Sequence, residues 1–290
     1  MPESAVVVIG AGDATGGAIA KRFAREGYTV CVTRRNEEAL TPLVQEIEAA
    51  GGKARPFGCD ARDEEQMVAL FDTIENEVGP VDVVVFNIGA NVFFSIRETT
   101  ARVYRKVWEM AAFAGFLAGR EAARVMVPRN KGTIIFTGAT ASLRGGKGFS
   151  AFSGAKFALR ALAQSMAREL GPEGIHVVHP IIDGAIDTAF IRDNFPAKYA
   201  QKEQDGILNP EHIADTYWML HQQPRDAWTH EIDLRRGWKR FKRTRHATRN
   251  TFFVGSDACI TKGPARKFGM QACSPTQTQN PAVGASLAAR

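Results

Sequence analysis

The 290-residue chain has only four cysteines, too few and too scattered for a disulfide framework or a thiolate metal site. Cys31 and Cys59 fall in apolar, strand-like runs, and Cys259 and Cys273 have no metal-ligand spacing, so buried or idle thiols, no metal, and a reducing compartment are expected. No apolar run approaches the roughly 18 residues of a membrane span. Met1-Pro-Glu-Ser offers no basic region ahead of Val6–Ile9, which predicts a soluble cytoplasmic protein with no membrane partner. There is no repeat of solenoid period. Acid is almost absent from one end: Arg235 to Arg290 holds 12 Lys/Arg and a single Asp. The remainder carries 25 Lys/Arg against 30 Asp/Glu, so the body is net −5 and the tail net +11. The overall positive charge therefore belongs to the tail and gives no reason to expect nucleic acid on the body. The run Arg235-Arg-Gly-Trp238-Lys-Arg-Phe241-Lys-Arg interleaves aromatics with cations, a pattern that can grip phosphates and stack bases. Charge-rich ends with Pro, Ser and Gln seldom fold, however, and residues 235–290 are expected to form a disordered basic tail after a domain spanning 1–234. A shifted reading frame would produce the same abrupt change in composition.

The body is rich in alternation. Short β-branched runs recur at Val6–Ile9, Thr29–Thr33, Val81–Phe86, Thr133–Phe136 and Ile175–Val178, separated by stretches of helical period such as Ala18–Arg25 and Leu159–Leu170. Gly27, Gly51-Gly52, Gly79-Pro80 and Gly171-Pro172 stand where helices must end before the next strand. This order predicts an α/β domain of Rossmann type, a doubly wound parallel sheet with helices on both faces.

Immediately after the first strand comes Gly10-Ala-Gly12-Asp13-Ala-Thr15-Gly16-Gly17, opening into a helix. Glycines at a strand-to-helix turn let backbone amides approach a pyrophosphate, and the helix start favours its charge. The same spacing also occurs in plain turns; its place between strand and helix favours the dinucleotide. Asp13 is an unfavourable charge there unless it caps the helix. After the second strand, where an NAD site would put an acid on the ribose hydroxyls, the chain has Arg34 and Arg35. Guanidiniums suit a 2′-phosphate, so NADP(H) is expected over NAD(H), the alternative being two solvated arginines at a strand end.

Ser150-Ala-Phe152-Ser-Gly-Ala-Lys156 lies between a strand-like run and a long amphipathic stretch, with positions 152 and 156 one helical turn apart on a shared face. Together with the glycine loop, Cys59-Asp60-Ala61 and Asn87-Ile-Gly89-Ala90, this segment resembles the short-chain dehydrogenase/reductase family from Ala5 through Leu234. The resemblance implies that Asp60 and Ala61 meet adenine, that Asn87 and Gly89 line the adenosine pocket, and that Gly184–Thr188 lies beside the nicotinamide, with Asp183 in place of the family's proline. It also implies that Lys156 holds the nicotinamide ribose. The departures are informative. Ile9 replaces a Thr and Ala14 a Gly in the loop. Phe152 stands at the place of the catalytic Tyr. Counting back from it puts Ala139 at the Ser, and matching Trp108–Ala111 to the family's helix puts Ala111 at the Asn.

A phenol beside an ammonium is a tuned acid, with a pKa below its usual value of about 10, whereas a phenyl ring offers no proton. Losing a general acid forfeits roughly 10²–10⁴ in rate. The catalytic set expected is therefore Lys156, Phe152 and a hydroxyl, Ser142 foremost. Thr140 is available to bind substrate, and Ser150, Ser153, His179 or Asp183 are alternative proton donors. The resemblance implies an NADP-dependent oxidoreductase acting on a small carbonyl, alcohol or activated alkene; the alternative is a catalytically silent NADP-binding sensor or scaffold. It further implies a homodimer or homotetramer through the helices around 102–127 and 152–170, where Phe113, Phe116, Leu159 and Leu162 could serve either an interface or the core. A lid over roughly 189–208, with Phe190, Phe195 and Tyr199 among charges, suggests an apolar pocket with a polar mouth.

Overall fold

A computed structural model describes residues 4–237. The chain runs β1 (Ala5–Ile9), α1 (Thr15–Arg25), β2 (Thr29–Arg34), α2 (Thr41–Ala49), β3 (Lys53–Gly58), α3 (Glu64–Glu77) and β4 (Val81–Phe86). There follow α4 (Ala101–Trp108), α5 (Ala114–Met126), β5 (Gly132–Phe136), the short β6 (Gly138–Ala139), α6 (Ser150–Leu170) and β7 (Ile175–Asp183). The last elements are α7 (Ala189–Asn194), α8 (Pro196–Tyr199), α9 (Pro210–His221) and β8 (Glu231–Arg235).

All strand pairs are parallel, in the order β3-β2-β1-β4-β5-β7, with β6 and β8 pairing on opposite sides of the outer half of β7. Strands buried on both faces are mostly apolar, and β1, β4 and β7 are buried at every position, with Asp82 in β4 and His176, His179 and Asp183 in β7 the polar exceptions. One face of the sheet carries Phe71, Phe86, Leu117, Phe136 and Leu159 beneath α3, α5 and α6. The other carries Phe23, Leu40, Ile47 and Tyr217 beneath α1, α2 and α9. Each such side chain contributes about 1.5–3 kcal/mol by leaving water. On the first face α5 and α6 approach closely: a Cβ at Gly119 would lie 2.8 Å from the Met166 sulfur and 2.9 Å from the Phe136 ring, so any larger residue would have to displace both side chains.

Besides the two-residue β6, two strands escaped the pattern of β-branched runs. Both β3, which contains Lys53, Arg55 and Pro56, and β8, which contains Glu231 and Asp233, are edge strands exposed along one side. Charge and proline are characteristic of such edges, since they discourage pairing with a second chain. At the end of β8, Arg235 pairs in register with Asp183, and Arg236 donates to the Gly206 carbonyl at 2.5 Å. The rest of the basic tail, with Trp238 and Phe241, lies outside the described residues.

The helix before β5 is broken by a single π turn at Glu109–Phe113, between α4 and α5. Ala111 sits in it, fully buried. Such turns concentrate at functional sites.

Candidate active site

The sheet order reverses between β1 and β4, so the loops after these strands diverge to opposite faces and leave a crevice at their carboxyl ends. The Asn87 amide ties the two loops by donating to the Gly10 carbonyl at 3.2 Å. Gly16 opens α1 against this turn: a Cβ there would lie 2.5 Å from the Gly10 oxygen. A Cβ at Gly12 would meet nothing within 4 Å, which leaves that side of the loop open to a ligand. The first turn of α1 has no side-chain cap and no acid. Its leading amides, at Thr15 and Gly16, are thus among the donors that a helix start leaves for an anion. Asp13 does not cap; it is almost fully exposed and pairs with Arg34 at 3.2 Å.

A cavity of about 380 Å³ opens beside this loop, lined by Gly10, Gly12, Asn87 and Gly89 at one end and Arg34, Arg35, Asp60, Ala61 and Arg62 at the other. Asp63 caps α3 by accepting from the Gln66 amide at 3.1 Å, while the Gln66 side chain accepts from the Asp60 backbone at 2.9 Å, and this fixes the loop that presents Asp60. The hydrogen bond from Arg62, with Nε 2.9 Å from Oδ1, holds the Asp60 carboxyl below its usual range. Sequence reasoning passed over Arg62; its signal was the Asp60-x-Arg62 spacing, which lets a guanidinium fold back on the acid. An open glycine loop at a helix start, cationic at the far end, fits a phosphorylated dinucleotide. Gly10, Gly12, Asn87 and Gly89 would hold its phosphates and adjoining sugar, and Arg34 and Arg35 a 2′-phosphate. Such a group supplies hydride when bound.

A second cavity, of about 650 Å³, lies at the carboxyl ends of β5 and β7. Ala139, Ala141, Phe149, Phe152, Ile182 and Ile186 form its apolar wall. Thr140 and Asp183 are its polar floor, the Thr140 hydroxyl donating to the Asp183 carboxylate. Arg144, Lys198 and Arg236 add positive charge around it. From the expected lid, Ile191 and Lys198 reach this wall, whereas Phe190 and Phe195 are exposed and lie edge to face with each other at 5.9 Å. Thr188 caps α7, accepting from the Ile191 amide at 3.1 Å.

Lys156 is buried beneath Phe152 on α6 and is held by two carbonyls, donating to Thr137 at 2.8 Å and Ile88 at 3.3 Å. Ile88 lines the first cavity and Thr137 the second, so the ammonium joins their walls. Burial pushes its pKa down to about 8.

The expected hydroxyl donors separate clearly. Ser142 is fully buried and absent from the cavity wall; its hydroxyl accepts from the Ala139 amide at 3.2 Å and lies 3.4 Å from Nε2 of His179. His179 is equally buried, and burial pushes its pKa down to about 4. Behind it stands Glu231, 3.4 Å from Nδ1 and held by both nitrogens of an Arg160 fork at 2.6 and 2.8 Å. This group secures β8 to α6 inside the protein. Ser150 is half-buried outside the wall, and its buried hydroxyl has no hydrogen-bond partner among the described residues. Ser153 lines the cavity with its hydroxyl 3.5 Å from the Arg144 carbonyl. The π turn brings Met110 to the first cavity, while Ala111 contributes no polar atom.

Among the described residues no helix is long and apolar enough to cross a membrane. Comparison with known proteins gives a consistent result. A profile of the short chain dehydrogenase family matches residues 4–198. The short-chain reductase protein NovJ of Streptomyces niveus is 31% identical over 225 residues, spanning 74% of this chain and 85% of NovJ. The crystal structure of a short-chain dehydrogenase from Rhodopseudomonas palustris is 52% identical, with a TM-score of 0.70 over 80% of this chain and 98% of the other. A metagenomic short-chain oxidoreductase solved in complex with NADP, 24% identical, shares the fold with a TM-score of 0.68 over 81% of this chain and 98% of its own. The profile begins just before β1 and extends past the Phe152/Lys156 helix into α8, and on that match the chain belongs to the short-chain dehydrogenase/reductase family of nicotinamide-dependent oxidoreductases.

Proposed function

We propose that the protein is an NADP-dependent oxidoreductase acting on a small carbonyl, alcohol or activated alkene within an active site that lacks the family's phenol. The observation that carries this reading is the position of Lys156, whose ammonium ties the wall of the dinucleotide cavity at Ile88 to that of the second cavity at Thr137. A dinucleotide with its adenosine end in the first cavity would reach past this buried charge to bring its nicotinamide to the second, whose wall includes Gly184 and Ile186. Arg34, Arg35 and Arg62 around the adenosine end favour the phosphorylated cofactor, because a fork of donors matches phosphate oxygens. Arg144, Lys198 and Arg236 favour substrates that carry an anionic group beside an apolar body.

Phe152, Ala139 and Ala111 together support a second reading, a silent NADP-binding protein, since none of them offers a proton. Titration with NADPH and NADH followed by a panel of carbonyl compounds separates the two. Oxidation of NADPH above background supports the enzyme; tight binding without consumption supports the silent protein. NADH bound as tightly as NADPH would sink the cofactor assignment. For assembly, we infer a homodimer or homotetramer through α4, α5 and α6, where Tyr104, Trp108, Phe116 and Phe157 are exposed. Leu159 takes no part in that surface, being fully buried against the sheet. Light scattering tests it.

A further inference from the structure

We propose that Thr140 and Asp183 handle the proton that the missing phenol would otherwise carry, Thr140 as the catalytic residue touching substrate and Asp183 as a positioning residue that exchanges the proton through it. The inference rests on the oxidoreductase reading above. Its ground is elimination combined with geometry. Ser142 and His179 are buried and, like the half-buried Ser150, stand off the cavity wall; Ser153 lines the wall but turns its hydroxyl to the Arg144 carbonyl; and Phe152, Ala139 and Ala111 have no proton to give. Thr140 and Asp183 both face the cavity and are joined by a hydrogen bond in which the hydroxyl donates to the carboxylate. The pair is held from both sides: Ala139, next to Thr140, pairs with Ile182, next to Asp183, across the β6–β7 ladder. Opposite, Asp183 is in register with Arg235 of β8.

With the Thr140 hydroxyl donating to an ionised Asp183, the pair is set for alcohol oxidation. The substrate O–H bond breaks and its proton goes to the Thr140 Oγ1. The proton already on Oγ1 passes to Asp183, which becomes a carboxylic acid. The carbinol C–H bond breaks with its electron pair, and that hydride reduces the oxidised nicotinamide dinucleotide supplied as co-reactant. The alcohol, having lost two electrons and two protons, leaves as a carbonyl compound, and Asp183 returns its proton to water. Carbonyl reduction is the same sequence reversed, starting from the Asp183 acid. Among the described residues, the charged and titratable groups around the pair include Arg235 and Arg236 on and after β8, Arg144 on the loop before α6, Lys156 on α6, Lys198 on α8 and His179 on β7 itself.

The test compares wild type with Asp183→Asn, Thr140→Val and Thr140→Ser in full-length protein. NADPH affinity should stay within about twofold in all four. Asp183→Asn and Thr140→Val should each lower kcat by roughly 10²–10⁴, Thr140→Ser should recover most of it, and Asp183→Asn should remove a limb of the kcat–pH profile. In the cofactor-free protein, infrared titration should show a carboxyl band that disappears in Asp183→Asn and shifts in Thr140→Val but not in Thr140→Ser. Turnover within threefold of wild type in either inactivating variant would overturn the proposal and leave the oxidoreductase reading standing. An Asp183 band unmoved by Thr140→Val would also overturn it. Wild type that binds NADPH but reduces nothing in the panel would remove both.

Discussion

Replacing Arg34 by Ala should weaken NADPH binding far more than NADH binding, and the structure sets the scale. The Arg34 guanidinium has two partners, the Asp13 carboxylate at 3.2 Å and the Ala39 carbonyl at 3.3 Å. Asp13 is almost wholly in water, and an exposed pair of this kind is worth about 0–1 kcal/mol. A charge-assisted contact to a phosphate is worth about 1.5–3 kcal/mol, so the phosphate wins the guanidinium from Asp13. Loss of Arg34 should therefore raise the Kd for NADPH about 10- to 150-fold while moving that for NADH about twofold or less. Asp13→Asn should do the reverse, tightening NADPH by up to about fivefold through removal of a competitor worth at most about 1 kcal/mol. Both effects should shrink when salt is raised above 0.1 M, where the screening length falls below about 10 Å. Calorimetric titration at two salt concentrations measures all of this. Equal weakening of NADH and NADPH in Arg34→Ala would refute the reasoning, because it would mean that Arg34 braces the loop and does not read the phosphate.

Gly16→Ala should abolish binding of either cofactor with little loss of secondary structure by circular dichroism, since the new Cβ would lie 2.5 Å from the Gly10 carbonyl and must push the loop open. Lys156→Met should change how stability depends on pH. The ammonium has a pKa of about 8 in the fold against a usual 10.5, so between those values the unfolded chain binds the extra proton and this group adds stability as pH rises. Denaturation of both proteins should show the wild type gaining about 3 kcal/mol on the variant from pH 8 to 10.5, and a flat difference would contradict the burial of a charge. Carbonyl compounds bearing a carboxylate should show lower KM than their neutral analogues, with the advantage reduced severalfold in Lys198→Ala and at high salt; equal KM values would remove the role given to the cationic rim. Phe152→Tyr combined with Ala139→Ser should raise kcat if the wild-type site is merely short of a phenol, and lower it if substrate is already committed to Thr140.

The interior strands were legible because a strand covered on both faces is almost wholly apolar: Val6–Ile9 is apolar at every position, and Val81–Phe86 at every position but Asp82, whose buried carboxylate is met by Lys131 at 2.7 Å. The edges were not, because Arg55-Pro56 and Glu231-Ile-Asp233 carry the marks of an edge strand, which locally resemble those of a loop. The glycine loop and Asp60 could be placed because each answers to neighbours close in sequence. Ser142 could not be. The direction of its hydroxyl depends on His179, a residue on β7 that meets it only after the sheet has formed. The same holds for Glu231, Arg160 and His179, three charges or potential charges from three distant segments whose association no spacing announces. Arg62 was within reach, two residues from Asp60, but a single arginine after an acid has many uses until the loop is closed by Gln66.

The π turn at Glu109–Phe113 also acts as a phase shifter. It contributes one residue more than an α-helix would use over the same span, and one residue is about 100° of rotation. Every side chain of α5 is therefore indexed from that turn. Deleting a residue within it would swing Gly119 away from Met166 and turn a bulkier neighbour toward α6, at a contact with no room for a Cβ. A substitution such as Ala111→Asn keeps the count and so keeps the register. Side chains in this turn set what packs there, but its length sets where every residue of α5 points.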